Sequence, residues 1–139
     1  MAEFIMKDMI KKQGLENEFH IQSAATSTEE IWGNVGNPVY PPAKRELAKH
    51  GINCDGKRAV QLKKTDGDKY DYFVGMDNAN IRNMHSILGS EYSDKISRLM
   101  DYTSRGGQVA DPWYTGDFAT TYADVYDGCV GLLNKLLNR

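Results

Sequence analysis

Asp111-Pro112-Trp113-Tyr114 is the stretch whose residue types most suggest chemistry. The proline biases Asp111 towards an extended backbone, so its carboxyl projects in a fixed direction. A carboxyl held in that way can donate a proton, and the two aromatics beside it can line a slot for a flat ring. The same residues also read as an Asp-Pro turn with aromatics packed on a sheet edge. Composition by itself favours the turn.

Other candidates are weaker. Ser23-Ala24-Ala25-Thr26-Ser27 sits at the carboxyl end of an expected strand, where open α/β sheets bind ligands. Its hydroxyls can support a site or cap local backbone. Trp32 lies in a long Gly-Asn loop and is either a substrate wall or a packed lid. His20, His50 and His85 have no metal-ligand spacing and read as structural. Cys129 falls in an apolar helical stripe and reads as a small core residue. Cys54 lies in the polar Asn53-Cys54-Asp55-Gly56 turn and is expected near the surface. No arginine or phosphate-cradling glycine loop follows it at helix-opening spacing, which argues against a nucleophile. No dinucleotide fingerprint or nucleotide P-loop occurs.

The elements that must position these residues follow from periodicity. Residues 1 to about 13 read as an amphipathic helix, with Ala2, Ile5, Met6 and Met9 at helical spacing and Gly14 as its stop. That helix has no residue ahead of it to act as a cap. Residues 19–23 alternate like a strand, and residues 26–42 form a long polar loop. A helix opens at Pro41-Pro42, a short extended piece covers 59–62, and 70–76 reads as a buried parallel strand. Asp77 caps the next helix, and 96–102 gives another strand. Phe118, Tyr122, Val125, Cys129, Leu132 and Leu136 mark a final helix lying on a sheet.

The order α-β-α-β-α-β-α argues for a parallel sheet with helices on both faces. The strand that should precede the first helix is missing from this pattern. With flavodoxin-like order 2-1-3-4, that strand would sit in the middle.

Composition narrows the function classes. The chain has 139 residues, enough for one domain, with 40% hydrophobic and 26% charged residues. Seventeen basic and nineteen acidic residues give a net charge of −2, which argues against a non-specific nucleic-acid binder. No apolar run approaches the ~18 residues of a membrane helix. The charged N-terminal stretch is unlike a signal peptide, so a cytoplasmic location is expected.

Several stretches, taken in order, resemble one family. They are Met1-Ala2-Glu3-Phe4, Ser23-Ala24-Ala25-Thr26-Ser27, Gly36-Asn37-Pro38, His50-Gly51-Ile52, Tyr70-Asp71-Tyr72 with Met76-Asp77, and Asp111-Pro112-Trp113-Tyr114. The chain resembles the low-molecular-weight protein-tyrosine-phosphatases over essentially its entire length. The resemblance implies an α/β fold of three layers, a flavodoxin-like doubly wound parallel sheet. It also implies hydrolysis of phosphotyrosine or aryl phosphates through a phosphocysteine intermediate, with no cofactor and no metal. Asp111 matches the general acid, and Trp113 and Tyr114 match the aromatic wall. Ser23 matches a hydroxyl that braces the phosphate loop. Trp32 falls in the loop that closes the opposite wall. A second supporting position, often histidine in the family, falls near Lys57.

Family members begin with a strand leading into a C-x(5)-R-S loop, and neither is in this sequence. The chain is therefore expected to be a single N-terminally truncated domain, inactive or nearly so. Pairing of edges left open by the absent strand makes a homodimer, through strand exchange or pairing, the matching structural expectation. Phosphotyrosine proteins or small aryl phosphates are the expected partners. The alternatives are a non-catalytic binding or scaffold domain on the same fold, and an arsenate reductase relative.

Overall fold

The computed structural model describes residues 1–27, 31–32 and 35–138; at positions 31, 32, 35 and 113 the description covers backbone only. Helix α1 (Ala2–Lys12) carries Ile5, Met6 and Ile10 on its buried face. It ends where Gly14, at φ +71°, lets the Leu15 N–H return to the Ile10 carbonyl at 3.0 Å. In the following loop, strands β1 (Ile31–Trp32) and β2 (Val35–Gly36) form an antiparallel pair. Helix α2 (Pro41–Lys49) opens on its two prolines, which suit a first turn that needs no N–H partner.

Strand β3 (Phe73–Gly75) leads into α3 (Asn78–Leu88), whose Asn80 N–H is capped by the Asp77 carboxylate at 2.8 Å. Strand β4 (Ile96–Arg98) pairs with β3 in parallel, Phe73 opposite Ile96 and Gly75 opposite Arg98. The short helix α4 (Pro112–Thr115) precedes α5 (Phe118–Leu136), capped by the Asp117 carboxylate on Thr120 N–H at 3.0 Å. Among the described residues no helix is long and apolar enough to cross a membrane.

Two apolar layers enclose the sheet. The larger joins α1, Leu47 of α2, and Val125, Cys129, Leu132 and Leu133 of α5, with Val74 and Met76 packed against it. The smaller joins Phe73 to Met84 and Leu88 of α3. Successive residues of a strand point to opposite faces, so β3 serves both layers at once. The result is the expected α/β sandwich with helices on both faces.

Two strand expectations are corrected. Residues 96–102 extend only through Arg98. There the Arg98 N–H turns to the Asp101 carboxylate at 3.0 Å, and residues 99–102 wind into a 3₁₀ turn. Residues 19–23 alternate as expected but enter no ladder among the described residues. The Ser23 N–H is taken by a side chain, the Glu3 carboxylate, at 2.8 Å. Pairing begins only at Ala25, which bridges Gln61 in parallel through bonds to Val60 and Leu62.

Candidate functional site

Open α/β sheets bind ligands beyond the carboxyl ends of their strands, and two features meet at that edge here. One is Ser23, just before the Ala25 bridge. The other is the segment leading to Asp111, just beyond the end of β3.

The Asp111 segment is fastened on three sides. The Val109 N–H donates to the Met76 carbonyl at 2.9 Å, and the Asn78 N–H donates to Gln108 Oε1 at 2.9 Å. Thr121 Oγ1 of α5 donates to the Ala110 carbonyl at 3.3 Å. Asp111 then accepts the Tyr114 and Thr115 N–H groups on its own carbonyl, which starts α4. Its residue is exposed, so the carboxyl is carried at the surface by a backbone that is held on both sides. Tyr114 is 84% exposed. The side chains of Trp32 and Trp113, the other expected walls, lie outside the described set.

Ser23 is organised by a group that sequence patterning left without a role. Glu3, in the first turn of α1, is only 5% exposed. Its Oε1 accepts the Ser23 N–H at 2.8 Å and the Ser23 hydroxyl at 2.7 Å. Lys57 Nζ stands 2.9 Å from the same oxygen and also donates to the Ser23 carbonyl at 3.3 Å. Lys7 Nζ binds the second oxygen at 2.8 Å. Burial by itself would push the Glu3 carboxyl upward. The hydrogen bonds from Lys7, Lys57 and Ser23 outweigh it and hold the pKa at about 2.

Two lysines against one carboxylate leave this corner with one positive charge in excess, which suits an anionic ligand. Lys57, near which the resemblance puts a second supporting position, binds both this carboxylate and the Ser23 carbonyl. Glu3 was readable as the helix-opening acid with Lys7 four residues on, but nothing in the pattern announced its bond to Ser23, 20 positions away.

Across the same edge, Thr26 Oγ1 is reached by the side-chain amides of Asn80 at 3.4 Å and Asn83 at 3.5 Å. Asn80 in turn accepts the Met76 N–H through Oδ1 at 3.0 Å. The Ser23 side and the Asp111 side are thus linked through the amino end of α3.

The cysteines are elsewhere. Cys54, expected near the surface, is 3% exposed. Its turn is polar, yet the thiol points into the larger apolar layer beside Ile52. Cys129 is 2% exposed, and burial pushes its thiol up to about 12. Neither has the environment of a nucleophile. His50 holds a structural position: its ring stacks on Tyr122 at 3.6 Å, with Nε2 3.1 Å from Glu46. Among the described residues no three His, Cys, Asp or Glu side chains converge to hold a metal.

Comparison with known proteins gives this geometry a context. The sequence profile of the family described as low molecular weight phosphotyrosine protein phosphatase matches residues 1–139. A low molecular weight protein-tyrosine-phosphatase of Bacillus subtilis, YfkJ, is 36% identical over 98% of this chain and 86% of its own length. The corresponding PtpA of Staphylococcus aureus is 29% identical over 99% of this chain and 84% of its own. The crystal structure of YfkJ superposes with a TM-score of 0.90 at 33% identity, covering 99% of this chain and 85% of that one. SP-PTP from Streptococcus pyogenes superposes at 0.84 with 34% identity, covering 97% and 82%.

Proposed function

Because the chain belongs to the low-molecular-weight protein-tyrosine-phosphatase family, we propose that it carries the proton-donor and supporting half of a phosphotyrosine or small aryl phosphate hydrolase, with Asp111 as its general acid. The phosphoryl group passes from the aryl oxygen to a cysteine thiolate while Asp111 gives that oxygen its proton. The Asp111 carboxylate then takes a proton from the water that attacks phosphorus and frees the thiolate. Trp32, Trp113 and Tyr114 wall the aryl ring, and Ser23, held by Glu3 and Lys57, braces the phosphate side.

The observation that carries this reading is the mounting of Asp111. Its approach segment is bonded to Met76, Asn78 and Thr121, so the carboxyl leaves a fixed backbone at the edge where Ser23 also sits. A proton donor needs that constancy, because misplacement by about 1 Å costs on the order of 10²-fold in rate.

The thiolate is not among these 139 residues. The sequence contains no C-x(5)-R: the positions six beyond Cys54 and Cys129 are Val60 and Lys135. Both cysteines are buried. The 139 residues by themselves are therefore inactive or nearly so, with a deficit on the order of 10⁴ or more. The same observation favours, as a second reading, a non-catalytic binding or scaffold domain. We assign the protein to the cytoplasm, with no nucleic-acid partner and a homodimer as its expected assembly.

Hydrolysis of p-nitrophenyl phosphate separates the two readings. The 139-residue chain is compared with a form extended upstream by a family-like strand and C-x(5)-R-S loop. Turnover by the extended form alone, slowed about 10²–10⁴-fold by Asp111→Asn, supports the phosphatase reading. An extended, folded form without turnover supports the scaffold. Turnover by the 139 residues alone would overturn the account of the nucleophile.

A further inference from the structure

The chain between β4 and Asp111 turns on Gly106 and Gly107, whose φ angles of +64° and +87° glycine adopts without strain. Ahead of this pivot Arg105 is tied to α5, with Nη1 2.9 Å from Asp124 and Nη2 3.1 Å from Asp127. Beyond it, three bonds hold the approach to Asp111. The Val109 N–H reaches the Met76 carbonyl, the Ala110 carbonyl accepts from Thr121, and Gln108 Oε1 accepts the Asn78 N–H. Two bonds leave a segment free to rock about the line between them, and a third sets its tilt.

Of the three, the Gln108 bond alone uses a side chain of the loop itself. Met76 and Asn78 flank Asp77, so Gln108 and Val109 grip the turn between β3 and α3 on both sides. Asn78 opens α3, where a first-turn N–H has no partner within the helix. It is fixed in turn by Arg98 at the end of β4, whose Nη1 donates to Asn78 Oδ1 at 3.1 Å. The rest of that guanidinium is spent on Asp101, with Nε 3.2 Å and Nη2 3.0 Å from Oδ1. A run of four residues, Asp101, Arg98, Asn78 and Gln108, therefore connects the end of β4 to the loop just before Asp111. Its bonds are exposed, and exposed bonds of this kind add little to stability.

We infer that Gln108 and Arg98 are positioning residues for proton transfer by Asp111. Gln108 sets the tilt of the loop, and Arg98 acts through Asn78 to keep the partner of Gln108 in place. This role rests on the reading of Asp111 as general acid. Its consequence is selective. A phenyl leaving group departs with a proton, so a misplaced donor slows it. A dinitrophenyl oxide leaves unprotonated and does not depend on the tilt. A general loosening of the fold would slow both alike.

The form extended upstream by a strand and C-x(5)-R-S loop tests this, with kcat/KM measured on phenyl phosphate and on 2,4-dinitrophenyl phosphate. Asp111→Asn sets the scale, as the loss on phenyl phosphate that the dinitrophenyl ester does not share. Gln108→Leu should lose about tenfold on phenyl phosphate and less than about twofold on the other, at an unchanged urea midpoint. Gln108→Glu keeps an acceptor for the Asn78 N–H and should recover most of that loss. Arg98→Met should show a smaller loss of the same kind. Added to Gln108→Leu it should cost nothing further, because the two act along one chain. Equal losses on the two substrates, or none, would overturn the role of Gln108, and additive losses would overturn that of Arg98. An extended form without turnover, or an Asp111→Asn variant that treats the two substrates alike, would bring down the general-acid reading and this role with it.

Discussion

One carboxylate oxygen, Glu3 Oε1, accepts both the backbone N–H and the hydroxyl of Ser23, at 2.8 and 2.7 Å. The first turn of α1 is thereby fixed to the chain just before the Ala25 bridge. With its proton committed to Glu3, the Ser23 hydroxyl offers lone pairs rather than a donor to anything bound beside it. Lys57 and Lys7 complete the shell of Glu3 and keep it charged although it is buried.

That arrangement dictates an acid sensitivity. The Glu3 pKa is depressed from 4.5 to about 2, so the native state favours the carboxylate. Its contribution is fully present above pH 4.5 and is lost as pH falls towards 2, on the order of 3 kcal/mol in total. Urea unfolding across this range should show a steeper fall in stability than in Glu3→Gln. That variant keeps only the contributions of the other lowered carboxyls, Asp55 and Asp117 among them. Parallel curves for the two proteins would refute the assignment.

Lys57 should matter through the same carboxylate. Lys57→Met leaves Glu3 buried with one cation instead of two, and a loss of about 1–3 kcal/mol is expected at pH 7. Lys57→Arg keeps the charge and should recover most of that. Equal losses in the two variants would mean that packing of the lysine stem, not its charge, is what counts.

The sequence made the helices and both apolar layers legible, because periodicity and caps are local signals. Asp77 and Gly14 act where their types suggest. Residues 19–23 were readable as extended but not as unpaired, since a ladder depends on distant neighbours. Cys54 misled because its turn is polar while its own side chain turns inward, a choice made by tertiary packing. At the site, Asp111 was visible through its proline. Glu3 was not, because the bond that gives it a role joins two elements far apart in sequence.

Both thiols should be chemically silent in the folded chain. Burial pushes Cys129 up to about 12, which leaves a thiolate fraction on the order of 10⁻⁴ at pH 8. Cys54 is shielded by its packing beside Ile52. Iodoacetamide at pH 8 should label neither residue within an hour and both in guanidinium, as read by mass spectrometry. Rapid labelling of Cys54 in the native chain would show that its turn opens.

The seating of α5 sets both stability and the Asp111 segment, and two of its glycines test this. Helix propensity by itself would favour alanine over glycine in mid-helix by about 1 kcal/mol. At Gly131, however, a Cβ would run into the Tyr102 carbonyl oxygen, a backbone atom that cannot swing aside. At Gly128 it would meet the Leu99 side chain, which has some freedom to repack. Overpacking of about 1–3 kcal/mol or more should therefore outweigh propensity at both sites, and more so at Gly131→Ala. Thr121 on the same helix holds the Ala110 carbonyl, so a displaced α5 also loosens the approach to Asp111. Gly131→Ala should lower the urea midpoint more than Gly128→Ala and speed amide exchange at Val109. A Gly131→Ala chain more stable than the parent would show that α5 does not sit against residues 99–102 as closely as described.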